Sequence, residues 1–197
     1  MLYSIICAVS LPLCKIIFRL KVYGKKYIPK KGGFILASNH LSYLDPFIIG
    51  IVCPRKLNFM ARHDLFFIPF FGKLLSTLGV FPVKRGAADI SAIREAIRRV
   101  RRGNALVLFP EGRRRRVDNV NTDEAPEAGI GFLAAKLDVP VIPAFIKGTE
   151  KAMPIGAKFI YPKKISVSFG EGIYVDKGLS YQEIAQTIME RIRHLGS

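Results

Sequence analysis

The sequence predicts an α/β fold: a mostly parallel central sheet flanked by helices. Three observations lead there. Short apolar runs bounded by turn residues recur at 34–37, 56–61, 79–83, 104–109, 139–146 and 165–169, and read as strands. Helical patterns at 89–102, 126–137 and 181–195 alternate with them. No stretch repeats another, and 197 residues suffice for one domain with a proper core.

The chain opens on an apolar run whose first fourteen residues have no side-chain charge. Spanning a bilayer takes about 20 apolar residues, so the run is short for a span. Leu2, Ile5, Ile6, Val9, Leu13, Ile16, Ile17 and Leu20 keep the i, i+3, i+4 rhythm of one helical stripe. Lys15, Arg19, Lys21, Lys25, Lys26, Lys30 and Lys31 follow as a basic collar. The expectation is an interfacial or re-entrant helix bent at Pro12, each collar charge contributing about 1 kcal/mol near an anionic leaflet. A buried core helix is the alternative. A cleaved signal peptide is disfavoured, because no positive charge precedes the run and no small-residue cleavage site follows it. Residues 1–31 are therefore set apart as a membrane-associating segment, and 32–197 as the main domain.

Gly32-Gly33 leads into Phe34-Ile35-Leu36-Ala37, a buried strand, and Ser38-Asn39-His40-Leu41-Ser42-Tyr43-Leu44-Asp45 follows. Ligands of open α/β sheets bind at the carboxyl ends of strands. A neutral imidazole there can take a proton, and a carboxylate on its other nitrogen fixes the tautomer. Asp45-Pro46 is equally a helix start, with Asp as N-cap and Pro at N1. His40 by itself is also readable as an ordinary loop histidine. After a short apolar helix to Val52 and the 56–61 strand, Leu65 to Leu75 places four Phe within six residues, either as core or facing lipid or an acyl chain. Gly79 to Val83 reads as a strand or edge strand leading to Lys84-Arg85.

Residues 89–102 form the most secure helix, capped by Asp89, with Ile90, Ile93, Ile97 and Val100 as the expected buried stripe and Gly103 as its stop. The 104–109 strand runs into Pro110-Glu111-Gly112 and four arginines, Arg113 to Arg116, and 117–126 reads as a polar loop. Ser180-Tyr181-Gln182-Glu183 is a capping box opening a terminal helix with Ile184, Ile188, Ile192 and Leu195 on one face.

Composition narrows the partners. Half the residues are hydrophobic, and 31 Lys and Arg against 15 Asp and Glu give a formal charge of +16. Charge together with high hydropathy favours an anionic membrane lipid surface over nucleic acid. Cys7, Cys14 and Cys53 form no Cys-x-x-Cys pair and no zinc spacing, so no metal is expected, and the sparse set fits a reducing compartment. Gly-x-Ser-x-Gly, Gly-x-x-x-x-Gly-Lys-Ser/Thr and Gly-x-Gly-x-x-Gly are absent. Three strand ends would deliver His40 with Asp45, Arg85, and Glu111 with the Arg run to one crevice. Arginine suits phosphate because its planar fork donates in pairs. Glu111, set among arginines, is expected to orient one of them or to accept a hydrogen bond from a substrate hydroxyl.

Four blocks, Asn39-His40 with Asp45, Gly79 to Arg85, Phe109-Pro110-Glu111-Gly112, and Val139-Pro140-Val141-Ile142-Pro143-Ala144, occur in the order seen in a known family. Over residues 20–175 the chain resembles the glycerolipid acyltransferases, most closely the lysophosphatidate (1-acyl-glycerol-3-phosphate) acyltransferases. The resemblance implies acyl transfer from a thioester, of acyl carrier protein or of coenzyme A, to the sn-2 hydroxyl of lysophosphatidate, giving phosphatidate. It implies His40 as general base, Asp45 as its orienter, and Asn39, Arg85, Glu111, Gly112 and Arg114 as substrate-binding residues. A backbone N–H near Gly112 is a candidate for the oxyanion. It further implies no covalent acyl-enzyme, no metal and no cofactor, at the cytoplasmic face of a cell membrane, held there monotopically or peripherally. Residues 32–197 become the acyltransferase domain. Two departures stand out: Arg113 fills a place commonly held by Thr, and Glu127-Ala128 stand where basic residues often precede the Gly matching Gly129. Glycerol 3-phosphate, another lysophospholipid or a lyso-aminolipid are the alternative acceptors. A basic, non-enzymatic membrane or nucleic-acid module is the reading of a different class.

Overall fold

The computed structural model describes residues 2–84, 89–112, 125–176 and 178–197. Among the described residues seven strands form one sheet: β1 (Lys21–Tyr23), β2 (Phe34–Ser38), β3 (Leu57–Arg62), β4 (Val80–Val83), β5 (Ala105–Leu108), β6 (Val141–Lys147) and β7 (Ser166–Phe169). The helices are α1 (Leu2–Ile17), α2 (Asp45–Val52), α3 (Phe71–Thr77), α4 (Ile90–Arg101), α5 (Ala128–Leu137), α6 (Thr149–Ala152) and α7 (Tyr181–His194). The strand order is β1-β7-β6-β2-β5-β3-β4. β6, β2, β5, β3 and β4 run parallel, whereas β7 pairs antiparallel with β6 and carries β1 parallel to itself. The expected mostly parallel sheet is thus observed, with a reversed two-strand edge that its apolar runs did not signal.

Every residue of β2 and β5 is buried, because helices cover both faces of the sheet. Alternate strand residues supply two cores. Phe34, Leu36, Val107, Ile142 and Ile146 pack with α2 and the inner side of α1. Ile35, Ala37, Leu106, Leu108 and Val141 pack with α4, α5 and α7. Residues 18–31 are part of this architecture: Phe18, Leu20 and Ile28 are buried, and Lys21–Tyr23 pair with Ser166–Ser168.

One helical stripe differs from expectation. In α4 the buried residues are Ala92, Ala96 and Val100, while Ile90 is exposed and Ile93 and Ile97 are half-buried. Small residues let this helix sit close to the sheet: a Cβ on Gly33, just before β2, would lie 2.2 Å from the Val100 carbonyl oxygen. In α1 the stripe of Leu2, Ile5, Val9, Leu13, Ile16 and Ile17 is exposed, and Cys14 with half-buried Cys7 and Leu11 faces the protein. The capping box is present, with Ser180 and Glu183 each accepting from the other's backbone N–H.

Candidate active site

β2 and β5 are neighbours in register, Ala37 opposite Leu108. From β2 the chain crosses to β3 by α2 on one face; from β5 it crosses to β6 by α5 on the other. Connections that leave adjacent parallel strands in opposite directions open a crevice at their carboxyl ends. His40 and Glu111 each stand three residues beyond that matched pair, so the topology itself brings them together. The His40 N–H donates to Glu111 Oε2 at 2.8 Å.

The dyad expected from sequence forms. His40 Nδ1 lies 2.9 Å from Asp45 Oδ2. Asp45 is fully buried, and the same oxygen accepts the Leu41 and Ser42 N–H groups, each at 2.7 Å. An oxygen on which three donors converge is an acceptor, so the shared proton belongs to Nδ1 and Nε2 is left with its lone pair. The imidazole stacks on Phe109, centroids 4.2 Å apart and planes inclined 22°, and its side chain keeps 16% of its surface exposed toward the crevice.

The helix-cap reading of Asp45 is corrected by this geometry. Asp45 is inside α2, whose N-cap is Leu44 with no side-chain cap bond. Its carboxylate turns back along the chain and caps the loop that holds His40. Ser42, which sequence reasoning did not single out, anchors that loop twice: its Oγ donates to the Met153 carbonyl at 2.8 Å and accepts from Leu44 N–H at 3.2 Å.

Asn39 is not among the residues that line the cavity described below. It is buried, its Nδ2 donates to the Ile146 carbonyl at 2.8 Å, and its Oδ1 accepts the Ile146 N–H at 2.7 Å. A side-chain amide thereby partners both backbone groups of Ile146 where β2 ends, groups that a residue without such a side chain would leave without this partner. Gly112 likewise has its N–H in use. That N–H donates to the Phe109 carbonyl at 2.9 Å, closing a turn with Pro110 at its second position. Gly112 takes φ +62°, and a Cβ there would meet the Glu127 carboxylate. The Gly112 N–H itself is therefore in use, and the N–H groups of 113–116 beside it lie outside the described residues. Arg85 and Arg114, as well as Arg113, Arg115 and Arg116 and most of the 117–126 loop, lie outside the described residues.

A cavity of about 1780 Å³ begins at His40, Glu111 and Gly112. Its walls are largely apolar: Phe47, Ile51, Phe59, Leu65, Phe71 and Leu75 are among them. Tyr3 closes one end, its hydroxyl donating to the Gly50 carbonyl at 2.8 Å, and burial pushes that hydroxyl above the usual phenol range. The Phe-rich stretch is not core: among residues 65–75 only Gly72 is buried. Leu65, Phe71 and Leu75 line the cavity, while Phe67, Ile68 and Phe70 point outward, Phe70 being 91% exposed. At the level of Glu111, two strands over, Lys84 lines the cavity, a described cation that sequence reasoning did not single out. Its backbone N–H donates to Asp89 Oδ2 at 2.8 Å. That bond and those from Ser91 and Ala92 hold the Asp89 carboxyl down at about 2, with the Ser91 hydroxyl the largest cause.

A family model described as Acyltransferase matches residues 19–147, which holds His40, Asp45, Glu111 and Gly112. The chain is 28% identical over 157 residues to the 1-acyl-sn-glycerol-3-phosphate acyltransferase of Bacillus subtilis (strain 168), covering 79% of this chain and 74% of that one. It is 30% identical over 146 residues to a chloroplastic 1-acyl-sn-glycerol-3-phosphate acyltransferase of Brassica napus, of which it spans only 41%. The crystal structure of the 1-acyl-sn-glycerophosphate acyltransferase from Thermotoga maritima superposes with a TM-score of 0.72 at 27% identity, covering 90% of this chain and 72% of that one. With more than half of its length matched by the family model, the chain belongs to the acyltransferase family.

Proposed function

We propose that the protein transfers a fatty acyl group from a thioester to the sn-2 hydroxyl of lysophosphatidate, giving phosphatidate and a free thiol. The observation that supports this best is the His40–Asp45 pair at the mouth of an apolar cavity large enough for an acyl chain. The names of the relatives in Bacillus and Thermotoga supply the acceptor.

His40 Nε2 takes the proton of the acceptor hydroxyl as its oxygen attacks the thioester carbonyl. The tetrahedral adduct then collapses, the C–S bond breaks, and the leaving sulfur takes the proton back from the imidazolium. Asp45 holds the tautomer and stabilises the imidazolium while it exists. A positioned base supplies about 10²–10⁴-fold, so alignment of the two substrates in the crevice supplies much of the rest. The Asp45 and Glu111 contacts fix His40 before substrate arrives. Arg85 and Arg114 bind the phosphate of the acceptor, joined by Lys84, and the acyl chain lies along the Phe59, Leu65 and Phe71 wall.

The reaction takes place at the cytoplasmic face of a membrane. Among the described residues no helix is long and apolar enough to cross one. The outward stripe of α1, with Val9 65% and Ile16 77% exposed, suits a helix lying in the interface, and exposed Lys15, Arg19, Lys25, Lys26, Lys30 and Lys31 suit its anionic headgroups. A panel of acceptors presented with an acyl thioester tests the assignment. Lysophosphatidate should be acylated fastest. Preference for glycerol 3-phosphate, another lysophospholipid or a lyso-aminolipid would keep the chemistry and change the substrate.

A further inference from the structure

We infer that the outer face of α4 is the docking surface for an acidic protein that delivers the acyl chain as a thioester. The inference rests on the proposed acyl transfer and adds to it the nature of the donor and the place where it binds.

Arg94, Arg98 and Arg101 on α4 and its C-cap Arg102 stand at i, i+4, i+7 and i+8, so they share one side of the helix. All four are exposed. Arg98 pairs with Glu95; Arg94, Arg101 and Arg102 meet no carboxylate among the described residues. Half-buried Ile97 sits between them, and among the described residues these five line a shallow depression of about 400 Å³. Arginines around an apolar centre are what protein interfaces are rich in, and guanidinium forks pair with carboxylates two bonds at a time.

Two further observations select the partner. α4 packs on the sheet face opposite α1 and α2. When the apolar stripe of α1 rests on a bilayer, the arginine face of α4 looks away from it, toward water and a soluble partner. Lipid headgroups are thus the poorer match for these charges. The start of the same helix borders the cavity, since Ala92 and Ile93 line it. Arg102 is nine residues beyond Ile93, about 14 Å along the axis at 1.5 Å per residue. A protein seated on this face has the crevice mouth at the edge of its footprint, within reach of a flexible arm bearing the thioester.

The experiment uses the full chain on lysophosphatidate vesicles, with the same acyl chain offered on an acidic acyl carrier protein and on coenzyme A. The variant Arg94→Glu/Arg101→Glu/Arg102→Glu leaves Arg98 and Arg99 paired to Glu95. The Arg→Gln triple replaces it if reversed charge near the helix C-terminus prevents folding. The expected result is a loss of tenfold or more in kcat/KM for the carrier-protein donor, together with loss of its salt dependence, and a change of less than twofold with acyl-coenzyme A. Three results overturn the inference: equal loss with both donors, no loss with the carrier protein, or loss of vesicle binding instead. A wild-type protein that uses acyl-coenzyme A alone also overturns it while leaving the proposed function intact; one that uses neither donor overturns the proposed function itself.

Discussion

Replacing Glu111 separates two roles for this carboxylate. The sequence suggested an acceptor for a substrate hydroxyl or a partner for arginine. In the structure its Oε2 accepts the His40 N–H at 2.8 Å and so clamps the loop that carries His40 to the end of β5. Glu111→Ala leaves that part-buried N–H without its acceptor, at a cost of about 1–3 kcal/mol. Glu111→Gln keeps a neutral acceptor, and the difference between charged and neutral hydrogen bonds puts its cost near 1 kcal/mol. Asp45 and the Phe109 ring still hold His40 in both variants, so the imidazole shifts rather than leaves. A shift of about 1 Å in a reacting group costs on the order of 100-fold in rate. Steady-state thiol release, with donor and acceptor varied in turn, should show kcat falling by up to 100-fold in Glu111→Ala and by less in Glu111→Gln, with acceptor KM changing little. If kcat is retained within twofold and acceptor KM rises, Glu111 binds substrate and the positioning argument fails.

Asp45→Asn removes the charge from an oxygen that receives three donors, and kcat should fall about 10²–10⁴-fold with acceptor KM nearly unchanged; retention of wild-type kcat would show that Asp45 only shapes the loop. Aspartate at Ile5, Val9 and Ile16, all exposed on α1, should weaken partition onto anionic vesicles at least tenfold and leave turnover of detergent-dispersed substrate intact, as checked by vesicle sedimentation. The Asp89 carboxyl is lowered to about 2, so the stability it contributes is present above its unfolded value and lost as pH falls through about 2; thermal melts of Asp89→Asn and wild type should differ at pH 6 and converge toward pH 2.

The strands were legible because sheets covered on both faces read as short apolar runs, and β2, β5 and β6 could hardly be anything else. His40, Asp45 and Glu111 were legible as strand-end polar residues. What sequence could not give was direction. The α1 stripe is apolar on its outward side, and periodicity alone does not say whether such a stripe meets protein or lipid. In α4 the isoleucines outrank Ala92 and Ala96 in hydrophobicity, yet the close approach of the helix at Gly33 selects the small residues for the inside. Asn39 was assigned to substrate binding by the family resemblance, whereas its bonds to Ile146 depend on β6 lying beside β2, a long-range pairing no local pattern announces. The reversal of β7 was hidden for the same reason.

The central claim is that His40 acts as the base in transfer of an acyl group from a thioester to lysophosphatidate. It is tested most directly by measuring thiol release and phosphatidate formation by wild type and His40→Ala on the same vesicles. Wild type should produce the two in equal amounts, and His40→Ala should lose about 10²–10⁴-fold in rate with an unchanged melting temperature. A folded His40→Ala variant that turns over normally would contradict the account.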